Sequence, residues 1–263
     1  MKAADNPTKK QSDFRIINAF SLKIIALLTM LIDHLGILLF RYDVNSTMIS
    51  ESTYNIMRII GRVAFPIFCF MIAEGFYHTK NIRKYIIRLS VFALISQIPY
   101  NLAMYQKAFA KHNLNIFFTL LFGLFALIVI DSCIRKIQSA SSNATLAYAT
   151  GLLVLIAILY CAEQFHFSYG CYGILLIIVF YLFRIPEKDF ENDAMVLKYT
   201  CVQFILVFML TYALSGDIQF YCLISFVFIV MYSRKKGPNL KLFFYLFYPI
   251  HLLVLYGLNL ILY

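Results

Sequence analysis

The stretch "TMLIDHLGILLF" (residues 29–40) places an aspartate beside a histidine inside an apolar segment that is long enough to cross a membrane. Ionisable side chains at membrane depth cost about 2.5–3.5 kcal/mol each on insertion scales, so they usually face a partner or a cavity. Asp33 and His34 therefore indicate a membrane-spanning helix and, on that helix, the first candidates for a functional site.

The composition extends this interpretation to the whole chain. Of its 263 residues, 62% are hydrophobic and 14% are charged, whereas a soluble domain has about 25% charged residues. So much apolar surface cannot be buried in one water-soluble core. The sequence therefore predicts an all-α polytopic integral membrane protein.

Apolar segments divide the chain into nine predicted transmembrane helices, each of roughly 20 residues where the pattern is clear. We predict a cytoplasmic tail over residues 1–20 and a single transmembrane domain over 21–263. The pair of segments around residues 215–217 predicts a tight helical hairpin. The predicted spans are 21–40, 57–77, 85–105, 114–132, 145–161, 168–184, 198–215, 217–233 and 243–262.

The distribution of positive charge predicts the orientation of these helices. Eighteen of the 23 lysines and arginines fall in segments on the same side as the N-terminus, and cytoplasmic loops carry such an excess. This predicts a cytoplasmic N-terminus, an extracytoplasmic C-terminus and a multi-pass protein of the cytoplasmic (inner) membrane. It also accounts for the net charge of +10 without nucleic acid. The cations on the opposite side are Arg41, Arg58, Arg62, Lys107 and Lys111.

Six cysteines lie in or beside apolar segments, and their spacing fits no metal-binding motif, so no metal is predicted. Cys161 and Cys171 flank one short loop. They could form a disulfide or be two unrelated thiols.

Charge and depth predict a partner for Asp33. Arg62 lies in the outer half of the second span, at a depth similar to that of Asp33 in the first. Adjacent helical residues point about 100° apart, so pairing Asp33 with Arg62 leaves His34 to face a cavity. Pro66 cannot donate to the carbonyl of Arg62 and should kink the helix beside it. The alternative is a packing network of these residues without chemistry.

Lys23 and His34 are eleven residues apart, so both lie on one helical face about 16 Å apart along the axis. A lysine at the membrane surface and a histidine deep inside would suit acyl-coenzyme A, with its phosphates at the lysine and its thioester near the histidine. Arg83 and Arg88 crowd the start of the third span, and Arg88 lies deeper than membrane anchoring requires.

Other polar side chains at membrane depth are candidates for lining this cavity, and several stand beside prolines. Glu74 is one of them, although it could instead neutralise Lys80, Arg83 or Arg88. The remaining candidates are Gln97, Asn115, Tyr248 and His251.

Several segments, in order along the chain, resemble the TraX family of membrane proteins, named for the conjugative-pilin acetylase. The spacing from Lys23 to His34 is also similar to the basic-x10-His signature of the membrane acyltransferase-3 group. The resemblance implies transfer of an acyl group, typically acetyl, from cytoplasmic acyl-CoA. The resembling segments are "LKIIALLTMLIDHLG" (22–36), "GRVAFPIFCFMIAEGFYHTKNIRKYIIRL" (61–89), "ISQIPYNL" (95–102), "NIFFTLLFG" (115–123) and "KLFFYLFYPIHLLVL" (241–255).

On this interpretation His34 is the general base, Asp33 orients the site and holds Arg62, and Arg62 stabilises the oxyanion or positions the acceptor. The acceptor would be an amine or hydroxyl of a membrane-associated or exported peptide, pilin-like subunit or glycan, and in TraX it is the N-terminal amine of pilin. Membrane lipid is a further predicted partner. The alternatives are a transporter or lipid scramblase that uses the buried charges as a proton relay, and a structural partner of a secretion or pilus apparatus. The coenzyme A end is assigned to Lys23, Arg83, Arg88 and Glu74, and the substrate end to Gln97, Asn115, Tyr248 and His251.

Overall fold

The computed structural model describes residues 14–40, 48–109, 114–138 and 144–262. Residues 1–13 of the predicted tail and the predicted outer cations Arg41 and Lys111 lie outside those ranges.

The described chain is built from helices, which confirms the predicted all-α architecture. Two short 3-10 helices, Glu187–Asp189 and Asp217–Ile224, interrupt the series. The α-helices are α1 (Ala19–Leu39), α2 (Glu51–Gly61), α3 (Ala64–His78), α4 (Ile82–Tyr105), α5 (Ile116–Gln138), α6 (Ala144–Gln164), α7 (Gly170–Leu182), α8 (Asp193–Leu214), α9 (Ser225–Val230) and α10 (Lys241–Leu262).

Within the described ranges, seven helices are long and apolar enough to cross a membrane, with Glu51–His78 taken as one stretch. Helix α7 and the stretch Asp217–Val230 are apolar but shorter. The nine predicted spans therefore coincide with seven long helices and two short ones. The predicted hairpin after α8 is tight, but its second arm is a 3-10 helix of eight residues followed by the six-residue α9, rather than one α-helix over 217–233.

The second predicted span is broken where Arg62 and Val63 separate α2 from α3. Pro66 lies in the first turn of α3 and has no N–H for the carbonyl of Arg62, so the interruption falls where the proline predicts it. N–H groups in a first turn have no intrahelical acceptor, and for this reason a proline is tolerated there. The break brings Arg62 and the end of α2 against α1.

The core lies where α1 packs against α2, α3 and α10, and where α5 packs against α4 and α7. Leu22, Ile67, Leu124 and Leu252 are completely buried there. Helix α6 differs, since most of its large apolar side chains are exposed. A helix that is apolar on its outward face fits contact with lipid.

Backbone hydrogen bonds hold the segment between α9 and α10 against the start of α1. The N–H of Ile17 donates to the carbonyl of Met231 at 3.0 Å, and the N–H of Ser233 donates back to Ile17 at 2.8 Å. The N–H of Ala19 donates to the carbonyl of Lys235 at 2.7 Å. The lysines that follow in this segment are therefore fixed beside α1.

Cys161 and Cys171 are both free thiols, which supports the second of the two alternatives for this pair. The backbone N–H of Cys171 donates a hydrogen bond to the carboxylate of Glu163 at 2.6 Å.

Candidate functional site

A buried ion-pair cluster lies where α1 meets the end of α2. The Nη2 atom of Arg62 donates to both carboxylate oxygens of Asp33, at 3.0 and 2.9 Å. The Nη1 atom of Arg58 lies 2.9 Å from the same carboxylate. Asp33 and Arg62 are only 7% and 8% exposed. The pairing expected from charge and depth is present, and a second arginine gives the cluster one excess positive charge.

The guanidinium of Arg62 is held on its other edges as well. Its Nη1 donates to the side-chain oxygen of Gln219 at 3.2 Å, and its Nε donates to the carbonyl of Arg58 at 3.2 Å. Because the guanidinium is planar and its donors are fixed in direction, these contacts determine its orientation. The cluster thus ties α1, the α2–α3 break and the 3-10 helix Asp217–Ile224 together.

Gly61 is required for the close approach of α2 to Asp33. A Cβ atom at Gly61 would lie 2.2 Å from the Cβ of Asp33. We expect Gly61→Ala to lower the unfolding temperature in detergent, since overpacking costs about 1–3 kcal/mol. Gly257→Ala in α10 is the matched control, because a Cβ there meets no atom of the described residues within 4 Å. Equal unfolding temperatures for the two variants would contradict this prediction.

Two histidines join α1 to α10 beside this cluster. The Nδ1 of His34 and the Nε2 of His251 are 2.8 Å apart, and the two ring planes differ by 1°. The Nδ1 of His251 lies 2.9 Å from the carbonyl oxygen of Phe247, one turn earlier in α10. His251 is buried and His34 is half-buried. The pair forms a chain of hydrogen bonds that ends on the backbone.

A cavity of about 490 Å³ lies beside α1, between α3, α4, α5 and α10. Apolar side chains form most of its wall. At one end it is lined by cationic side chains, and we call this end the cationic mouth. The cationic mouth comprises Lys23, Arg88, Lys236 and Lys241.

The cavity follows the face of α1 that was predicted from the spacing of Lys23 and His34. Lys23, Leu27 and Met30 line it, and His34 is the next residue on the same face. On α10 the lining ends at Tyr248, whose ring lies 5.5 Å from that of His251. The cavity therefore ends about one helical turn short of the histidine pair on both helices.

The predicted phosphate ligands on α4 differ in position. Arg88 is partly buried in the cavity wall, and its Nε has no hydrogen-bond partner among the described residues. Arg83 is exposed and is not among the lining residues. Lys23 also lines the cavity, with its Nζ 5.3 Å from the ring centroid of Phe244.

Glu74 lies outside the cavity lining. Its carboxylate accepts a hydrogen bond from the Nε of Arg184 at 2.6 Å, and both side chains are buried. The partner is therefore an arginine just beyond α7, rather than Lys80, Arg83 or Arg88. Glu74 joins the ends of α3 and α7.

The same arginine begins a network that reaches the segment before α10. Glu187 accepts hydrogen bonds from Arg184 at 3.0 Å and from Arg234 at 3.1 Å. Burial alone would raise the pKa of the Glu187 carboxyl, but these two guanidinium groups hold it below its usual range. Arg234 also stacks on Phe190, at 4.0 Å from the ring centroid. The network anchors the chain that leads to the cationic mouth.

Gln97 and Asn115 contact each other and do not line the cavity. The backbone N–H and the side-chain nitrogen of Asn115 donate to the Gln97 oxygen at 3.0 and 2.8 Å. The side-chain nitrogen also donates to the carbonyl of Ala93, and the side-chain oxygen accepts from the N–H of Phe117. These bonds fasten α4 to the beginning of α5. Of the four residues predicted for the substrate end, His251 contacts His34, and Tyr248 lies next to His251.

Sequence reasoning missed four residues of the site. Arg58 is one turn before Arg62, so the shared helical face was a usable signal. Gln219 is an amide in an apolar segment and could have been included with the other intramembrane polar residues. Lys236 and Lys241 gave no signal beyond the general positive charge of their segment.

These long apolar helices, the buried ion pairs and the partly open cavity define a multi-pass helical membrane protein with an internal polar site. The sequence model of the TraX protein family matches residues 19–259, and the chain belongs to the TraX family. The chain is 29% identical over 252 residues to a Dichelobacter nodosus protein described as probable fimbrial assembly protein FimC, serogroup H1. That match covers 90% of this chain and 94% of the relative. No solved structure matches the chain.

Proposed function

We propose that the protein is a membrane-embedded acyltransferase. It moves an acyl group, most simply acetyl, from acyl-CoA to an amine or hydroxyl of a membrane-associated or exported acceptor. The observation that supports this best is the position of the cavity, which begins at the cationic mouth and ends one turn from the His34–His251 pair. Membership of the TraX family supports the same activity.

The cavity suits the donor because its two parts match the two parts of acyl-CoA. The phosphates of coenzyme A need cations, and the cationic mouth supplies four of them. Charge-assisted hydrogen bonds to phosphate are among the stronger polar contacts in proteins. The thin pantetheine arm and the acyl group would then occupy the apolar part and bring the thioester toward His34.

The orientation follows from the source of the donor. Acyl-CoA is made in the cytoplasm, so the cationic mouth faces the cytoplasm and the protein lies in the cytoplasmic membrane. This agrees with the positive-inside rule. In this orientation α7 and the stretch Asp217–Val230 also cross, which gives nine spans, a cytoplasmic N-terminus and an extracytoplasmic C-terminus.

His34 is the general base. Its Nε2 takes the proton of the acceptor amine or hydroxyl while the acceptor atom bonds to the thioester carbonyl carbon. The carbon–sulfur bond then breaks, and the proton passes from His34 to the sulfur of coenzyme A. The excess positive charge of Arg58 and Arg62 stabilises the oxyanion that forms in between. Asp33 keeps these two arginines in place.

The acceptor approaches from the side opposite the cationic mouth, because the donor occupies the cavity between that mouth and the histidine pair. A peptide N-terminus, a pilin-like subunit or a glycan hydroxyl meets the chemical requirement. The description of the Dichelobacter nodosus relative as a fimbrial assembly protein favours a pilus subunit among these.

Donor binding gives a direct test of this proposal. We expect Arg88→Ala to weaken binding of a non-reactive acyl-CoA analogue to the purified protein. A charge-assisted hydrogen bond contributes about 1.5–3 kcal/mol, which is roughly 10–150-fold in Kd. Binding should also weaken as salt screens the more exposed lysines of the mouth. Isothermal titration calorimetry in detergent measures both effects.

Arg83→Ala is the matched control, since it removes the same charge from the same helix outside the cavity lining. It should leave the affinity within about twofold. Equal affinities for Arg83→Ala and Arg88→Ala would return Arg88 to membrane anchoring, and absence of any analogue binding would overturn the proposed donor.

A further inference from the structure

The hydrogen-bond chain through His251 determines which nitrogen of His34 carries a proton. A backbone carbonyl can only accept, so the Nδ1 of His251, 2.9 Å from the oxygen of Phe247, must be the donor. In a neutral imidazole the other nitrogen is then an acceptor. The Nε2 of His251 therefore accepts, and the Nδ1 of His34, 2.8 Å away, must donate to it.

Asp33 does not perform this task, although it is adjacent to His34 in sequence, because the Nδ1 of His34 lies against His251. Both of its carboxylate oxygens already accept hydrogen bonds from Arg62, and one also faces Arg58. A carboxylate or backbone carbonyl usually accepts a hydrogen bond from the second nitrogen of a catalytic histidine. In this site a neutral imidazole, that of His251, takes that place.

We propose that His251 is the positioning residue of the site, which holds His34 as the Nδ1–H tautomer with an unprotonated Nε2 available to the acceptor. The inference rests on the proposed function of His34 as a general base and adds the residue on which that role depends. The rigid setting of His251 supports it, because the ring is buried and stacked on Phe247 at a centroid distance of 5.2 Å. A histidine side chain in water prefers the Nε2–H tautomer, so the Nδ1–H tautomer of His34 must be set by its contact with His251.

The test uses two substitutions that differ in one property. His251→Gln puts a side-chain oxygen near the position of the lost Nε2 and can still accept from His34. His251→Phe fills the same space without an acceptor. We expect His251→Phe to reduce kcat roughly tenfold or more with little change in KM for acyl-CoA, because loss of an orienting partner costs about that much. His251→Gln should recover most of the rate.

A second readout does not depend on activity. Two-bond 1H–15N correlation spectra of the 15N-histidine-labelled protein in detergent distinguish the two tautomers, and five histidines give few signals. The His34 signal, assigned by its absence in His34→Ala, should show the Nδ1–H tautomer in the parent and in His251→Gln but not in His251→Phe. An Nε2–H tautomer in the parent overturns the inference, whether or not His251→Phe folds. An unchanged tautomer in His251→Phe also overturns it. If the spectra match and no acyl transfer occurs, the positioning contact stands and the proposed function fails.

Discussion

Replacing His34 with alanine is expected to lower acyl transfer by about 10²–10⁴-fold, because removal of a general base reduces the rate by that order. Binding of acyl-CoA should persist, since His34 is not among the residues that line the cavity. The fold should persist too, because the buried cluster around Asp33 keeps all of its contacts. The effect should therefore appear in kcat rather than in Kd for the donor.

The measurement is release of coenzyme A thiol in the presence of an acceptor that mass spectrometry of envelope peptides and glycans has identified. His166→Asn is the control, because His166 is exposed and has a backbone φ of 48° that asparagine tolerates. Full turnover by His34→Ala would remove the general base from the proposed mechanism.

Replacing Asp33 with alanine is expected to affect stability as well as activity. It would leave Arg62, which is 8% exposed, without its counter-charge. Removal of one partner from a buried ion pair costs about 3–5 kcal/mol. Arg58 should add less, because 19% of its side chain is exposed and solvent screens it in part.

A thermal melt in detergent, run beside the transfer assay, measures this effect. The double variant Asp33→Ala with Arg62→Leu should recover part of the stability, since no buried guanidinium is then left unpaired at position 62. It should not recover activity. An Asp33→Ala protein as stable as the parent would show that Asp33 is not the electrostatic centre of the cluster.

The ion pair could be predicted from the sequence because ionised groups at membrane depth require a nearby opposite charge. Few candidates at the right depth existed, and Arg62 was one of them. The break beside Arg62 could be predicted for a local reason as well, since Pro66 removes a specific backbone hydrogen bond. In both cases the physical cause lies within one helix or between two consecutive membrane-spanning segments.

The histidine pair could not be predicted in this way. Helical periodicity shows which residues of α10 share a face, but it does not show how α10 is rotated against α1. That rotation depends on side-chain packing over the whole interface. The contact of Gln97 with Asn115 escaped for the same reason. The 3-10 helix Asp217–Ile224 escaped because apolar composition is alike in 3-10 and α-helices.

The contact between α1 and α10 also orders events during synthesis. Asp33 meets Arg62 after only 29 more residues have been made, whereas His34 must wait for a partner 217 residues further along the chain. At ribosomal rates this is a delay of roughly 10–40 s. Under the proposed function, the base gains its working tautomer only when α10 has entered the membrane and docked. An unfinished chain on the ribosome, or one shortened before α10, would therefore transfer acyl groups far more slowly than the finished protein.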